Sequence, residues 1–333
     1  MTFWDNKKIL VTGGAGYIGS ITCKILNEQG FTPVIFDNFS NSKRVSVSNF
    51  EIHEGDLRDI DDISKVVEQV KPDGVIHFAA LKAAGESMDI PEAYYENNVG
   101  GSANLFKALI DHGVHNVVFS STAAVYGEPD KKQVSETDPI RPENAYGHTK
   151  YMVEEMLMWL AKLNRLNSIR LRYFNVAGAL EDGSMGEDDG PKLANIIPLL
   201  MKRALNQRDF QLFGNDYPTH DGTCIRDYIH VVDLAHAHVL ALKKLEEFEG
   251  SDVYNVGVGK GSSNLELITI AQEISGNAFE YEVVERRVGD PAEYYANSDK
   301  IQKELGWKAK YTSRDAVEHA WKWHSSHPFG YEG

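Results

Sequence analysis

The sequence predicts an α/β protein: a doubly wound parallel sheet through the N-terminal half, then a smaller mixed α/β C-terminal domain. Three observations predict it. Short β-branched runs alternate with helical patterns up to about residue 175. A glycine-rich turn, Gly13-Gly14-Ala15-Gly16, separates the first run from the first helical pattern. Beyond 175 the rhythm breaks at a stretch rich in Gly, Asp and Glu, residues 178–192. Strands separated by helices make successive βαβ units with helices on both faces of one sheet.

In order, Ile9-Leu10-Val11 reads as a strand and 17–29 as a helix ended by Gly30. Pro33-Val34-Ile35-Phe36 is the second strand; the third covers about 50–54, followed by a helix over 61–70. Val75-Ile76-His77-Phe78 is the fourth, with a helix over 91–112 behind it. Val117-Val118-Phe119 is the fifth, with a helix over 145–163. Later come short strands near 211–213, 253–256 and 280–284, and helices near 230–245, 264–275 and 313–324. The expected domains are 1–175 and 176–333, with some segments of the second interleaving with the first.

At 333 residues, 42% hydrophobic and 25% charged, the chain is an ordinary globular protein of about two domains. That excludes a disordered tail, a coiled coil or a disulfide-stapled miniature. The formal charge of -15 repels nucleic acid and anionic membrane, so neither is an expected partner. A phosphorylated ligand must therefore be held by a few specific groups. Cys23 and Cys224 lack zinc-like spacing and read as free thiols in a reducing compartment, with one long-range disulfide as the alternative. The first eight residues contain no apolar core of signal-peptide length, and no run approaches the ~18 apolar residues of a membrane span, so a soluble, cytoplasmic protein is expected.

Gly13-x-x-Gly16-x-x-Gly19 has the spacing of a dinucleotide-binding turn. One glycine makes the bend, the next admits a pyrophosphate, the third packs helix on strand, and the helix N-terminus faces the anion. Asp37 ends the second strand, 18 residues past Gly19. A carboxylate there accepts from ribose hydroxyls and repels a 2′-phosphate, which favours NAD over NADP. Lys43 and Arg44 lie nearby as the opposing feature. Asp56-Leu57 and Phe78-Ala79-Ala80 follow strands three and four, at the carboxyl edge where such sheets bind ligands.

Tyr146 and Lys150 share one face at the start of a helix, 24 residues after Thr122, which follows strand five. A free phenol has a pKa of ~10 and is a poor base at neutral pH. Lys150 and an oxidised nicotinamide would each lower it, toward the range where a general base works. Thr122 adds a hydroxyl to the same set.

With these motifs in hand, the chain resembles the UDP-glucose 4-epimerase family of the extended short-chain dehydrogenase/reductases, over nearly its whole length. The family's marks here are Leu81-Lys82-Ala83-Ala84-Gly85-Glu86-Ser87, Tyr94-Tyr95-Glu96-Asn97-Asn98-Val99, Arg172-Tyr173-Phe174-Asn175, and the run Phe213-Gly214-Asn215-Asp216-Tyr217-Pro218-Thr219 through Arg226-Asp227-Tyr228-Ile229-His230-Val231. The resemblance implies a Rossmann-type fold and NAD contacts from Tyr17, Ile18, Asp37, Asn38, Asn41, Ser42, Asp56, Leu57, Phe78, Lys82, Asn97 and Phe174. It implies catalysis by Thr122, Tyr146 and Lys150. UDP would be held by Asn175, Asn195, Phe213, Arg226, Arg287 and Asp290, with Lys82 also at the substrate and Tyr294 bordering the hexose.

The implied reaction is reversible, NAD-dependent 4-epimerisation of UDP-glucose and UDP-galactose through a 4-keto sugar, in a homodimer joined by the helices at 91–112 and 146–163. Leu105, Phe106, Leu109, Met152, Met156, Leu157 and Leu160 supply their apolar faces. The runner-up substrate is an N-acetylated or carboxylated UDP-sugar. A dehydratase or decarboxylase is disfavoured because Ala123-Ala124 offers no carboxylate, and a non-catalytic NAD sensor because Tyr146 and Lys150 are both present. Departures from the family pattern are Thr122 for a usual Ser, Ala124 for Thr, Val176 for a frequent Pro, and His148 for Lys or Arg. Arg226 and Arg287 have surface salt bridges as their plain alternative, Phe213 the core, and Tyr294 the core with Tyr295 facing the sugar instead. His220, His230, His236 and His238 have no ligating pattern, so no metal site is expected.

Overall fold

The computed structural model describes residues 6–188, 195–287 and 291–331. In chain order its strands and helices are β1 (Lys8–Thr12), α1 (Tyr17–Glu28), β2 (Thr32–Asp37), β3 (Glu51–Glu54), α2 (Ile60–Val70), β4 (Gly74–His77), α3 (Glu86–Asp89), α4 (Pro91–Tyr94), α5 (Gly101–Asp111) and β5 (Asn116–Ser120). There follow β6 (Gln133–Val134), α6 (Ala145–Lys162), β7 (Asn167–Tyr173), β8 (Asn175–Ala177), α7 (Ile196–Ala204), β9 (Gln211–Phe213) and β10 (Ile225–His230). The last are α8 (Val231–Lys244), β11 (Ser251–Val256), β12 (Gly261–Ser263), α9 (Asn264–Ser275), β13 (Glu282–Val284), β14 (Glu293–Ala296), α10 (Asp299–Leu305) and α11 (Ser313–Ser326).

The chain divides into two compact units. The first is 1–127, 140–172 and 235–254; the second is 128–139, 173–234 and 255–333. In the first, seven strands run in the order β11-β7-β5-β4-β1-β2-β3. β1 through β5 and β7 pair with one another in parallel. Ile9, Leu10, Val11, Val75, Ile76, Val117 and Val118 are fully buried, because a parallel sheet has both faces covered. The order reverses between β1 and β4, which opens a crevice at their carboxyl ends. Leu10, Phe36, Val67, Leu105, Phe106, Leu109, Val153 and Leu157 belong to the core cluster of this unit.

The helix expected over 91–112 is interrupted. Tyr95–Gly100 forms a π-turn between α4 and α5, where Gly100-Gly101 weakens the α-helical ladder. No strand was expected over 167–173, yet β7 lies there with Arg170 and Arg172 buried.

In the second unit β12-β10-β14-β6 form one sheet, β8 also pairs with β10, and β9 pairs with β13. β10 and β8 were likewise unforeseen, as were α7 and α10. Helices α7, α9 and α11 cover this unit's apolar core through Leu200, Met201, Leu267, Ile268, Val317 and Ala320. Capping boxes at Ser263/Glu266 and Thr312/Asp315 start α9 and α11, each satisfying two otherwise unpaired backbone donors. Among the described residues no helix is long and apolar enough to cross a membrane.

Candidate active site

The turn between β1 and α1 brings two backbones into contact. Gly13 has φ +69°, and a Cβ there would lie 2.6 Å from the Ala79 amide nitrogen. A Cβ on Gly19 would lie 2.3 Å from the Gly13 carbonyl oxygen. Helix α1 begins at Gly16 with no side-chain cap, the arrangement that presents its N–H groups to an anion.

Asp37 ties this turn to β2. One carboxylate oxygen accepts from the Ala15 N–H at 3.0 Å; the other accepts from the Phe39 N–H at 2.8 Å and the Ser42 hydroxyl at 3.0 Å. An ionised carboxylate has lone pairs left for ribose hydroxyls. Arg44, a candidate for a 2′-phosphate, lies over the Phe39 ring at 4.4 Å and pairs with Glu54. Asn38 donates to Asp56 at 3.0 Å, and Arg58 grips the same carboxylate at 3.0 and 2.7 Å. The Arg58 hydrogen bond holds the Asp56 carboxyl well below the usual range. Leu57 is buried, Phe78 packs on His238 with ring centroids 4.6 Å apart, and Asn41 and Lys82 are exposed. Asn97 sits in the π-turn and donates to the side chain of Asn98 at 3.0 Å. This donor and acceptor set, a bare helix N-terminus beside the Asp37 carboxylate, fits a dinucleotide whose adenosine ribose carries no phosphate.

Thr122 follows β5, and Tyr146 and Lys150 lie in the first two turns of α6, which Asn144 caps by accepting from the Gly147 N–H at 2.8 Å. The Tyr146 N–H donates to the Ser87 hydroxyl at 3.1 Å. Lys150 Nζ donates to the Ser120 carbonyl at 2.8 Å and lies 4.9 Å over the Phe119 ring. Burial raises the Tyr146 pKa, while a hydrogen bond with Thr122 and the charge of Lys82 pull it back. Burial also brings Lys150 down to about 7.

Sequence reasoning gave no role to Ser87 or to Asn98. The Asn98 side chain accepts from the Leu81 N–H at 2.8 Å and donates to the Leu81 carbonyl at 3.0 Å and to Thr149 at 3.1 Å. That braces the segment carrying Lys82 against α6. Asn98 and Ser87 both lie inside the family-like strings quoted above, the one signal that could have marked them. His148 accepts or donates at 2.9 Å with the Tyr95 hydroxyl.

In the second unit a cavity of about 1070 Å³ is lined by Asn175, Asn195, Phe213, Arg226 and Arg287 among others. Arg203 and Arg208, which the sequence did not single out, line it too. The Arg287 guanidinium lies 4.1 Å over the Phe213 ring, so these two act as one surface. Asn195 donates to Glu187 at 2.6 Å and Arg226 to the Ile225 carbonyl at 2.9 Å. Asp290 lies outside the described residues. Tyr294 pairs in register with Arg226 and is 9% exposed, its ring 4.9 Å from that of Phe174; Tyr295 is more open. Buried Asp227, pushed up to about 6 by desolvation, accepts from the N–H groups of Val258, Gly259 and Ala296.

The four histidines go separate ways. His230 bonds His319 at 3.0 Å, His238 packs on Phe78, His236 meets Gln29 and His220 meets Asp221 and Glu266. Among the described residues no group of three or more His, Cys, Asp or Glu could hold a metal. Cys23 and Cys224 are both free and buried.

The NAD dependent epimerase/dehydratase family model matches residues 9–257. A UDP-glucose 4-epimerase of Halalkalibacterium halodurans is 46% identical over 325 residues, 97% of each chain. A crystal structure of a UDP-glucose 4-epimerase superposes with a TM-score of 0.95 at 42% identity, covering 98% of this chain and all of that one. The Bifidobacterium longum UDP-glucose 4-epimerase in complex with NAD+ and UDP has a TM-score of 0.92 at 38% identity, over 98% of this chain and 100% of its own.

Proposed function

The chain belongs to the UDP-glucose 4-epimerases of the NAD dependent epimerase/dehydratase family, and we propose that it interconverts UDP-glucose and UDP-galactose by reversible inversion at C4. The observation that carries this reading is Tyr146 and Lys150 one turn apart at the start of α6, beside Thr122 just after β5, in a chain so close to enzymes of that activity.

NAD, when bound, supplies a hydride acceptor and donor for C4, so that a 4-keto sugar stands between the two epimers. The chain's own residues handle the proton and the positions. Tyr146 takes the 4-hydroxyl proton at its phenolic oxygen and later returns it. Thr122 stabilises the phenolate by donating to it, and Lys82 supplies positive charge. Lys150, anchored on Ser120, keeps its ammonium beside the same helix face. The glycine turn, Asp37, Asn38, Asn41, Ser42, Asp56, Leu57, Phe78, Lys82, Asn97 and Phe174 are the proposed cofactor contacts.

Asn175, Asn195, Phe213, Arg226, Arg287 and Asp290 are the proposed UDP contacts. Arginines that fork onto a diphosphate supply the local positive charge that a chain of net charge -15 otherwise lacks. Tyr294 is proposed to border the hexose and to disfavour N-acetylated sugars by its bulk.

A homodimer through α5 and α6 completes the reading. Leu105, Phe106 and Leu109 of α5 and Leu157 of α6 are spent on the core of the first unit, while Met158 and Trp159 of α6 and Leu163 just after it are exposed. A monomeric mass by light scattering at micromolar concentration would refute the dimer.

The test of the activity is purified protein given UDP-galactose, and separately its N-acetylated counterpart, with no NAD added. Formation of UDP-glucose, with kcat/KM at least about fivefold above the N-acetylated pair, is the expected result. No turnover of UDP-galactose, with or without added NAD, would sink the activity. A ratio within threefold would sink the role of Tyr294.

A further inference from the structure

Three consecutive residues, the last of β5 and the two after it, run beside α6, and the first two are hydrogen-bonded to it. Lys150 Nζ donates to the Ser120 carbonyl at 2.8 Å and the Ser121 hydroxyl donates to Glu154 Oε1 at 2.5 Å, while Thr122, next in line, caps the turn at 123–126 that packs on Gly147 of α6 beside Tyr146. Tyr146, Lys150 and Glu154 follow one another at intervals of four, so they share one helix face. Lys150, Thr122 and Tyr146 belong to the proposed reaction; the middle rung, Ser121 to Glu154, lies among them and holds no residue of it.

That middle rung is heavily built. Glu154 and Ser121 are fully buried. Arg172 donates to Glu154 through Nε at 2.8 Å and through a terminal nitrogen at 2.5 Å, and Arg170 lies 3.5 Å from the same carboxylate. Both guanidiniums are anchored from behind, Arg172 on the Tyr126 hydroxyl at 3.0 Å and Arg170 on the Asp252 carbonyl at 3.1 Å. Desolvating two cations and an anion offsets much of their mutual attraction, and an apolar cluster of similar volume is often as stable or more so. Stability alone therefore does not account for the cluster. What it does provide is a carboxylate whose place is determined from several sides, aimed at the hydroxyl next to Thr122.

From this geometry we infer that Glu154 and Ser121 are positioning residues: Glu154, clamped by Arg172 and Arg170, fixes Ser121, and Ser121 fixes the angle at which Thr122 presents its hydroxyl to Tyr146. Neighbouring side chains on an extended segment point to opposite faces, so a backbone rotation that carries Ser121 away from Glu154 swings Thr122 with it. Misplacement of a reacting group by about 1 Å can cost roughly 100-fold in rate.

The inference rests on the 4-epimerase reading. Its test is Ser121→Ala, which cuts the rung and leaves the ion cluster whole, assayed on UDP-galactose beside wild type and Tyr146→Phe, well below each protein's melting temperature. The expected result is a kcat about 10- to 100-fold below wild type, with KM within threefold and bound NAD unchanged. A merely structural bond would leave kcat alone at a temperature where the variant is folded. Ser121→Ala within twofold of wild type in kcat, beside an inactive Tyr146→Phe, overturns the inference and leaves the 4-epimerase reading standing. A fall confined to KM overturns it as well. Wild-type protein that fails on UDP-galactose overturns both.

Discussion

The two units hold their candidate ligand groups in different ways. In the first they cluster at the carboxyl ends of β1, β2, β4 and β5, and several are backbone features: the bend at Gly13, the bare N-terminus of α1, the close approach of Ala79. In the second they come from scattered segments, Asn175, Asn195, Phe213, Arg226, Arg287 and Tyr294, and each contributes a side chain. A βαβ unit creates its crevice by topology once glycines permit the turn. A cavity lined by separate segments has no such template, so its chemistry is assembled one side chain at a time. Substitutions in the first unit's catalytic cluster should therefore act on turnover, and those in the second on binding.

The largest expected effect is Tyr146→Phe. Deleting the hydroxyl removes the base and keeps the ring, so kcat should fall by about 10²- to 10⁴-fold, with NAD still bound by absorbance of the purified protein. Activity within tenfold of wild type would remove Tyr146 from its role. Next is Arg226→Ala, which takes a charge-assisted donor from the second unit's cavity. KM for UDP-galactose should rise about 10- to 100-fold with kcat within threefold in steady-state kinetics. A loss falling on kcat instead would break the division between the two units.

The smallest effect is on stability and pH. His77, buried between Thr12 and Ser102, is lowered to about 3 by desolvation and then by Lys150. As pH falls below about 6.5, the unfolded chain binds a proton there that the folded chain refuses. The stability present above that pH is lost progressively toward pH 3, about 2 kcal/mol of it by pH 5. His77→Gln should make the difference in urea-unfolding free energy between pH 7 and pH 5 smaller by about that amount; an unchanged difference would contradict it. In the second unit His230, also lowered to about 3, pulls the same way. Asp227, raised to about 6, opposes it, because its folded form gains a proton first as pH falls.

Much of the first unit was legible in the residues. Apolar runs at Ile9–Val11, Val34–Phe36, Val75–Ile76 and Val117–Phe119 became buried parallel strands, since a strand covered on both faces has no polar positions to alternate with. The spacing of Gly13, Gly16 and Gly19, the carboxylate at Asp37 and the interval from Tyr146 to Lys150 are likewise local. They are facts about one turn, one strand end and one helix face, and neighbours along the chain are enough to define them.

β7 and β10 were not legible, and the reason is shared. Asn167-Ser168-Ile169-Arg170-Leu171-Arg172-Tyr173 and Ile225-Arg226-Asp227-Tyr228-Ile229-His230 read as mixed polar stretches because charged side chains ordinarily seek water. Arg170 and Arg172 are buried with Glu154, from α6, as their shared counter-charge, and with Asp252 and Tyr126 as further acceptors. Asp227 is buried only because backbone N–H groups of residues 258, 259 and 296 converge on it. The same holds for the charge of Lys82, which stands 64 positions from Tyr146 in the chain and bears on its phenol only once the chain is folded. Periodicity and glycine spacing depend on the residues next in line and survive in the sequence. Whether a buried charge is satisfied, and which cation lies near a phenol, depends on partners that only the folded chain brings within a few ångströms.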